Sequence, residues 1–353
     1  FLIFTFSLFS LWDGWQRYQH PVAYLTPATT ERTTESASVP SPSVKTTVKP
    51  AASSAVVSSQ QTSAPGQKIH VKTDYLDAEI NTAGGDLKRI EFVMHKDTDD
   101  ESKPFVLLQQ QDQHTYIAQT GLLTAGLPNH NTLYTAQTTN YQLAEGKDSL
   151  EVRLLATLPD GVVIHKIYVF HRKSYLIDVG YEIINGSKEP INTSAYFQLV
   201  RDTSEPTGAS KFVPTYTGPA VYTETEKFQK IDFSNIEKNN ASYPKLADNG
   251  WIGMLQHYFV TAWLPKEKTE REFFTRKLDN GLYSAGVIIP VETVEAGKVV
   301  KVSMPLYAGP AQGELDSIAP GLGLTVDYGW LTSIARPRFW ALIQIHGLVL
   351  NWG

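Results

Sequence analysis

The sequence predicts an all-β protein in which two large antiparallel sheets pack face to face, with an apolar segment on either side. From residue 68 to residue 308, short stretches of alternating apolar and polar residues are separated by turn-forming residues, which is the pattern of half-buried strands. Long helical patterns are scarce in this part of the sequence. Because one open sheet of so many strands would curl or split, we expect two packed sheets.

The predicted strands follow one another through short connections, as in a meander. Turn signals separate several of them, including Pro-Asp-Gly at 159–161 and Asn-Gly-Ser-Lys at 185–188. The strand expected at 251–264 is broken or bulged within. In chain order the predicted strands are 69–73, 76–80, 87–93, 105–109, 115–119, 150–158, 162–170, 175–184, 191–199, 251–264, 272–276, 282–289 and 298–308.

Residues 1–20 are predicted to be a transmembrane anchor that is truncated at its start. The first part reads FLIFTFSLFSLW, which is shorter than the roughly 20 residues that cross a bilayer. Trp12, Trp15 and Tyr18 cluster where polar residues begin, as aromatic belts do at a membrane interface. A cleaved signal peptide is the alternative, but bulky aromatic residues occupy the place where its cleavage site should be.

Residues 21–67 are predicted to be a disordered linker. Their composition is dominated by Ser, Thr, Pro, Ala and Val, without a period of a helix or a strand. Such a segment buries too little apolar surface to offset the entropy of ordering it. Its many prolines make it stiffer than a Gly/Ser chain, so we expect it to hold the following domain away from the membrane.

The composition excludes several classes of function. The formal charge of -5, from 31 basic and 36 acidic residues, argues against a nucleic-acid partner. The absence of cysteine excludes disulfides and thiolate chemistry. His165 and His171 lie on one predicted strand about 20 Å apart, too far for shared metal coordination, and are expected at its surface or rim. We therefore predict no enzyme activity, catalytic residue, cofactor or metal site.

One stretch of the domain is unusually rich in aromatic residues. It reads GWIGMLQHYFVTAWLP and covers residues 250–265. The residues of interest are Trp251, Met254, Tyr258, Phe259 and Trp263. Two interpretations are open: a central core element between the sheets, or a ligand groove or partner surface.

Residues 321–353 are predicted to form an amphipathic interfacial segment that leads into a second transmembrane segment. Pro337 suits the first turn of a helix, and apolar residues then recur near helical spacing. Arg336, Arg338, Phe339 and Trp340 fit a helix lying in the membrane plane, with its cations near anionic headgroups. The alternative is an ordinary amphipathic helix packed on the sheet domain.

Three separated motifs carry a resemblance to a known family. GWIGMLQHYFVTAWLP, LTVDYGWL and the terminal HGLVLNWG resemble the N-terminal part of the YidC-type membrane protein insertases of Gram-negative bacteria. The order of the parts agrees over nearly the whole chain: anchor, linker, large domain at 68–320, and amphipathic helix. The family's conserved membrane core, with its hydrophilic groove, matches no position in this sequence.

The resemblance implies a β-supersandwich similar to galactose mutarotases, held in the periplasm of a protein of the bacterial inner membrane. It implies a role as insertase and chaperone for nascent membrane proteins, with the phospholipid bilayer and the Sec translocon with its accessory subunits as partners. A different class of function stays open, in which the sandwich is a tethered module that binds a glycan or an extended peptide. An epimerase rests on fold analogy alone.

Overall fold

The computed structural model describes residues 39–40, 66–111, 114–206, 216–256, 258–266 and 268–326. The predicted anchor at 1–20 and the predicted interfacial helix lie outside the described residues. The domain itself is built of strands with very little helix, as predicted.

The strands begin at Lys68 and continue to Pro310. Most of the predicted strands are present within a few residues of their expected bounds. In chain order they are β1 (Lys68–Lys72), β2 (Leu76–Asn81), β3 (Asp86–Lys96), β4 (Pro104–Gln111), β5 (His114–Leu122), β6 (Thr135–Ala136), β7 (Asn140–Gln142), β8 (Ser149–Thr157), β9 (Val163–His171), β10 (Leu176–Ile184), β11 (Ser194–Arg201), β12 (Gly218–Thr223), β13 (Lys227–Lys230), β14 (Leu246–Ala247), β15 (Trp251–Gln256), β16 (Phe259–Trp263), β17 (Arg271–Lys277), β18 (Tyr283–Pro290) and β19 (Val299–Pro310).

The helices are short and lie near the chain's later turns. Within the described ranges, two are α-helical, α1 (Phe233–Glu237) and α2 (Leu315–Ile318), and two are 3₁₀ turns, Asp279–Gly281 and Leu322–Thr325. The second 3₁₀ turn follows α2 at the end of the described chain, so α2 and this turn form one C-terminal segment.

The strands form two sheets, which confirms the predicted architecture. The ten-stranded sheet has the order β14-β17-β18-β11-β5-β4-β3-β2-β1-β7, and the nine-stranded sheet has the order β13-β12-β15-β16-β19-β10-β9-β8-β6. Pairing is antiparallel throughout these sheets except between β1 and β7, which run parallel. The long connections between sheets bring strands distant in sequence side by side, such as β10 beside β19.

The main core lies between the sheets, and strand alternation produces it. In β9, every second residue is buried, so Ile164, Tyr168 and Phe170 join the core while the residues between them are partly exposed. Side chains of the ten-stranded sheet, such as Ile90 and Leu108, belong to the same cluster. Each such side chain contributes about 1.5–3 kcal/mol when fully buried.

The break expected within 251–264 is a tight hairpin rather than a bulge. β15 and β16 pair directly, with Gln256 opposite Phe259. Tyr258 occupies the turn with a φ of 63°, a left-handed conformation that interrupts a strand. The short strands β6, β7, β12, β13 and β14 were not predicted, because they are too brief or too uniformly apolar to alternate.

Candidate functional site: the docking platform of the C-terminal segment

Three neighbouring strands of the nine-stranded sheet are buried on both faces. Every residue of β12, β15 and β16 is buried, whereas an antiparallel strand with one face in water alternates. The outer face of these strands therefore has its own cover. We call the apolar cluster on this face, together with its cover, the platform; its buried members are Ala220, Tyr222, Trp251, Leu255, Val260, Ala262, Leu264, Tyr307, Leu315, Ala319 and Leu322.

The cover is the C-terminal segment at 315–326. Leu315 of α2, Ala319 after it and Leu322 of the 3₁₀ turn supply its apolar contacts with the sheet. These positions are three or four residues apart, so one side of the segment faces the strands. We call residues 315–326 the docking segment; they include the boundary predicted between the domain at 68–320 and the segment at 321–353.

A hydrogen bond and a close ring contact fasten the docking segment. The indole Nε1–H of Trp251 donates to the carbonyl oxygen of Pro320 over 3.0 Å. The ring of Tyr222 stacks on Trp251, with centroids 6.0 Å apart. Gly321 has a φ of 74° and lies so close to Tyr222 that an added Cβ would be 2.3 Å from its ring. Only glycine suits that position, because it combines positive φ with this close approach.

The structure divides the aromatic stretch between the two apolar clusters and the surface. Trp251 belongs to the platform, while Met254, Phe259 and Trp263 belong to the main core. Phe259 stacks on a ring of β4 with centroids 4.0 Å apart. Tyr258 is 69% exposed at the hairpin turn. Of these five residues, Tyr258 is thus the one whose side chain is accessible to a partner.

Two cavities flank α2 and share Leu176 and Ile318 in their walls. The smaller, about 230 Å³, lies against Trp251 and Pro320 of the platform. The larger, about 650 Å³, is lined mainly by aromatic rings and polar loop residues. We call the larger one the aromatic groove; its ring-bearing lining residues are Tyr75, His95, Tyr175 and Tyr307.

At the ring-bearing wall of the aromatic groove, His95 and Tyr175 are uncharged near neutral pH. Burial lowers the pKa of His95 below its ordinary value, so the imidazole is neutral. Burial also raises the pKa of Tyr175 to about 12, so its phenol stays protonated. The rings of Tyr75 and Tyr175 lie 5.0 Å apart. These rings offer an apolar face to a ligand, beside the charged residues Lys173 and Glu314 in the same lining.

The described residues bring together a serine, a histidine and an aspartate that sequence reasoning did not single out. The Nδ1 atom of His114 lies 2.9 Å from Asp202 Oδ2 and 2.6 Å from Ser204 Oγ. In a nucleophilic triad the serine and the carboxylate contact opposite ring nitrogens. Here both contact the same nitrogen, so the arrangement fastens the loop after β11 and does not activate the serine.

The two histidines considered in the sequence lie on the partly exposed side of β9. His171 Nε2 is 2.7 Å from Asp178 Oδ2, and His165 stands six positions earlier on the same strand. Over the part of the chain that the structure describes, no group of three His, Cys, Asp or Glu side chains is arranged to hold a metal ion.

The predicted membrane-interface residues lie outside the described residues. Trp12, Trp15 and Tyr18 precede the described residues, and Arg336, Arg338, Phe339 and Trp340 follow them. Within residues 39–40 and 66–326, apart from the gaps given above, no helix has the length and apolarity needed to cross a bilayer. The docking segment, which ends at Val326, is the described element nearest in sequence to the predicted interfacial helix.

Sequence reasoning missed the docking segment, although a signal for it exists. Leu315, Ile318, Ala319 and Leu322 recur at intervals of three and four residues, which indicates one apolar face. The uniform burial of β12, GPAVYT, is the complementary signal. Neither signal is strong alone, because the helix is only four residues long.

These features define a large two-sheet β domain whose last segment is folded onto one of its own sheets. Comparison with known proteins identifies the domain further: the family model for the YidC periplasmic domain matches residues 68–341. The chain belongs to this family.

Curated relatives match over the whole chain. It is 48% identical to the membrane protein insertase YidC of Nitrosospira multiformis, with 100% of this chain and 65% of the relative covered. It is 46% identical to the membrane protein insertase YidC of Methylobacillus flagellatus, with 100% and 64% covered. The chain therefore spans somewhat less than two thirds of the length of these relatives.

Solved structures with a similar arrangement are more distant. A galactose mutarotase related enzyme from Lactobacillus acidophilus covers 69% of this chain and 97% of its own, with 10% identity and a TM-score of 0.46. A galactose mutarotase-like protein from Clostridium acetobutylicum covers 69% and 94%, with 8% identity and a TM-score of 0.42. At TM-scores below 0.5, the predicted similarity to galactose mutarotases stays a prediction and carries no activity over to this chain.

Proposed function

We propose that this chain is the N-terminal and periplasmic portion of a membrane protein insertase and chaperone that aids insertion and folding of inner-membrane proteins, alone or with the Sec translocon. The observation that carries the proposal is similarity along the whole chain, at 40–48% identity, to relatives named membrane protein insertase YidC. The large domain is then periplasmic, and residues 1–20 anchor it in the inner membrane.

The partners in this proposal are nascent membrane proteins, the phospholipid bilayer, and the Sec translocon with its accessory subunits. A polypeptide entering a bilayer must move polar groups past hydrocarbon, at several kcal/mol for each unsatisfied group. A protein that provides a wet or locally thinned path lowers that cost. This chain contributes anchoring and geometry to such a path, not the path itself.

The contacts of the docking segment explain how the domain would position the predicted interfacial helix. It is held to the nine-stranded sheet by apolar burial and by the bond from Trp251 to Pro320. The chain then continues from Val326 to the predicted interfacial helix, with Arg336 and Arg338 at its start. In this proposal the platform fixes where that helix begins, and the helix sets the height and tilt of the membrane part.

The test is a depletion-rescue assay with the full-length protein. Replacing Arg336, Arg338 and Trp340 together with Ala is expected to weaken insertion of a reporter membrane protein at normal protein level, since headgroup contacts and the aromatic anchor are lost. The control carries Arg336→Lys and Arg338→Lys, which keep both charges, and is expected to rescue. Full rescue by the triple Ala variant would argue against an interfacial role for these residues.

The second candidate function is a tethered module that binds a glycan or an extended peptide. The aromatic groove favours it, because the rings of Tyr75 and Tyr175 line an open cavity of about 650 Å³. Tyr258 adds an exposed ring nearby, because its backbone carbonyl accepts a hydrogen bond from the amide of Ala311, which lies between the groove residues Pro310 and Gln312. The groove is compatible with the insertase proposal, since α2 forms one of its walls while Leu315 of α2 stays packed in the platform.

A further inference from the structure

The outer face of the ten-stranded sheet carries a buried apolar patch, separate from the main core and from the platform. Tyr196 of β11 lies opposite Ile288 of β18, and Phe274 of β17 belongs to the same cluster. The three side chains are 0%, 5% and 4% exposed. Outer faces of antiparallel sheets are usually polar and solvated. We call these three residues the outer-face patch.

Two glycines make room for the rings of the outer-face patch. A Cβ added at Gly121 would lie 2.5 Å from the hydroxyl oxygen of Tyr196, and one at Gly286 would lie 2.6 Å from Cζ of Phe274. Each ring therefore rests over a glycine of the neighbouring strand. The two rings therefore lie close to the sheet backbone, which leaves space for a chain segment to pack on top of them.

Residues from the middle of the predicted linker occupy this surface. Val39 packs against the outer-face patch, and Pro40 is buried. The guanidinium of Arg276 donates from Nη1 to the carbonyl oxygen of Val39 over 3.3 Å, while its central carbon lies 5.2 Å from the ring centroid of Phe274. One arginine thus contacts both the patch and the backbone lying on it.

The chemistry of the linker at this point suits such a contact. Val39 and Pro40 are followed by Ser41, Pro42 and Ser43. The apolar pair therefore has small neighbours in sequence, which do not prevent it from packing on a sheet face. The proline ring restricts the backbone before binding, which lowers the entropy lost on docking. The carbonyl of the residue before a proline also remains free to accept a bond from a side chain.

We propose that Val39 and Pro40 fasten the middle of the linker to the outer-face patch, so that the free tether between membrane anchor and domain is residues 21–38 instead of 21–67. At roughly 3.3–3.6 Å per extended residue, this limits the reach of the tether to about 60 Å, where the whole linker would allow about 160 Å.

A cysteine-labelling experiment tests the proposal, because the chain contains no cysteine of its own. Ile288→Cys places a single thiol in the outer-face patch, and its rate of reaction with a maleimide is measured on the intact chain in detergent micelles. Adding Val39→Asp puts a charge into the contact, and labelling is expected to accelerate on the order of tenfold as the patch opens. The same change at Val48→Asp, elsewhere in the linker, is expected to leave the rate unchanged.

A second thiol position separates undocking from unfolding. Val287→Cys faces the main core, next to Ile288 in sequence, and is expected to stay protected in every linker variant. The proposal would be overturned if Ile288→Cys reacted at the same rate in three backgrounds: the unchanged linker, Val39→Asp and Val48→Asp. Acceleration by both linker variants alike would overturn it as well, because the effect would then not depend on the segment at 39–40.

Discussion

At the scale of single residues, the most unusual feature of the domain is a lysine buried between the sheets. Lys166 is fully buried, and its Nζ donates to the carbonyl oxygen of Gly84 over 3.0 Å and lies 3.8 Å from Asp86 Oδ1. Gln119 Nε2 donates to the other oxygen of Asp86 over 2.9 Å. Burial lowers the pKa of Lys166 to about 8, with Asp86 opposing that effect.

This lysine is expected to make stability depend on pH. Between about pH 8 and the ordinary lysine value of 10.5, the unfolded chain binds more protons at this site than the folded chain does. The free energy of unfolding contributed by Lys166 therefore rises with pH through this window, by up to about 1.4 kcal/mol per pH unit. Lys166→Met lacks this contribution, so urea unfolding should show wild-type stability gaining on the variant as pH increases.

The control for this experiment is Lys72→Met, at an exposed position on β1. It removes one lysine without touching the core. If the stability difference between wild type and Lys166→Met is the same across the window, Lys166 does not shed its proton as described.

Comparing two buried tryptophans tests how much the hydrogen bond from Trp251 to Pro320 contributes to stability. Trp251 and Trp263 are 2% and 1% exposed, but Trp251 Nε1 donates to Pro320, whereas Trp263 Nε1 has no hydrogen-bond partner among the described residues. Trp251→Phe is expected to lower the free energy of unfolding by about 1 kcal/mol more than Trp263→Phe. Urea unfolding measures both, and equal losses would show that the bond to Pro320 contributes little.

Sequence reasoning predicted which histidines of β9 face outward, but it did not predict the buried lysine between them. The alternation of β9 places His165 and His171 on the outer side, as expected, and the same parity places Lys166 inside. A lysine is rarely fully buried, so composition gave no reason to expect it there. The groups that compensate the charge of Lys166 lie on or next to β3 and β5. No local sequence pattern indicates that these strands contact β9.

At the scale of elements, prediction succeeded where strands alternate and failed where a strand is buried on both faces or is very short. β8, β9 and β10 were predicted closely because one face of each is partly solvated. β12 was missed because its outer face is covered by the docking segment. That cover depends on a contact between residues about 100 positions apart, such as Tyr222 with Gly321.

At the scale of the whole molecule, the domain holds two segments of its own chain on opposite sheets. The docking segment lies on the outer face of the nine-stranded sheet, and Val39 lies on the outer face of the ten-stranded sheet. Each segment adjoins a part of the sequence predicted to reach the membrane. In the proposed function, the sandwich is the scaffold that sets where both connections to the bilayer begin.

The central claim is that docking of the C-terminal segment positions the membrane-proximal chain for insertion. It is tested most directly by depletion rescue with Gly321→Val and Gly313→Val in the full-length protein. Both glycines have positive φ, 74° and 83°, but a Cβ at Gly321 would meet Tyr222 at 2.3 Å, whereas one at Gly313 meets nothing within 4 Å. Loss of rescue with Gly321→Val and retention with Gly313→Val, at equal protein levels, is the predicted result; equal rescue by both would contradict the claim.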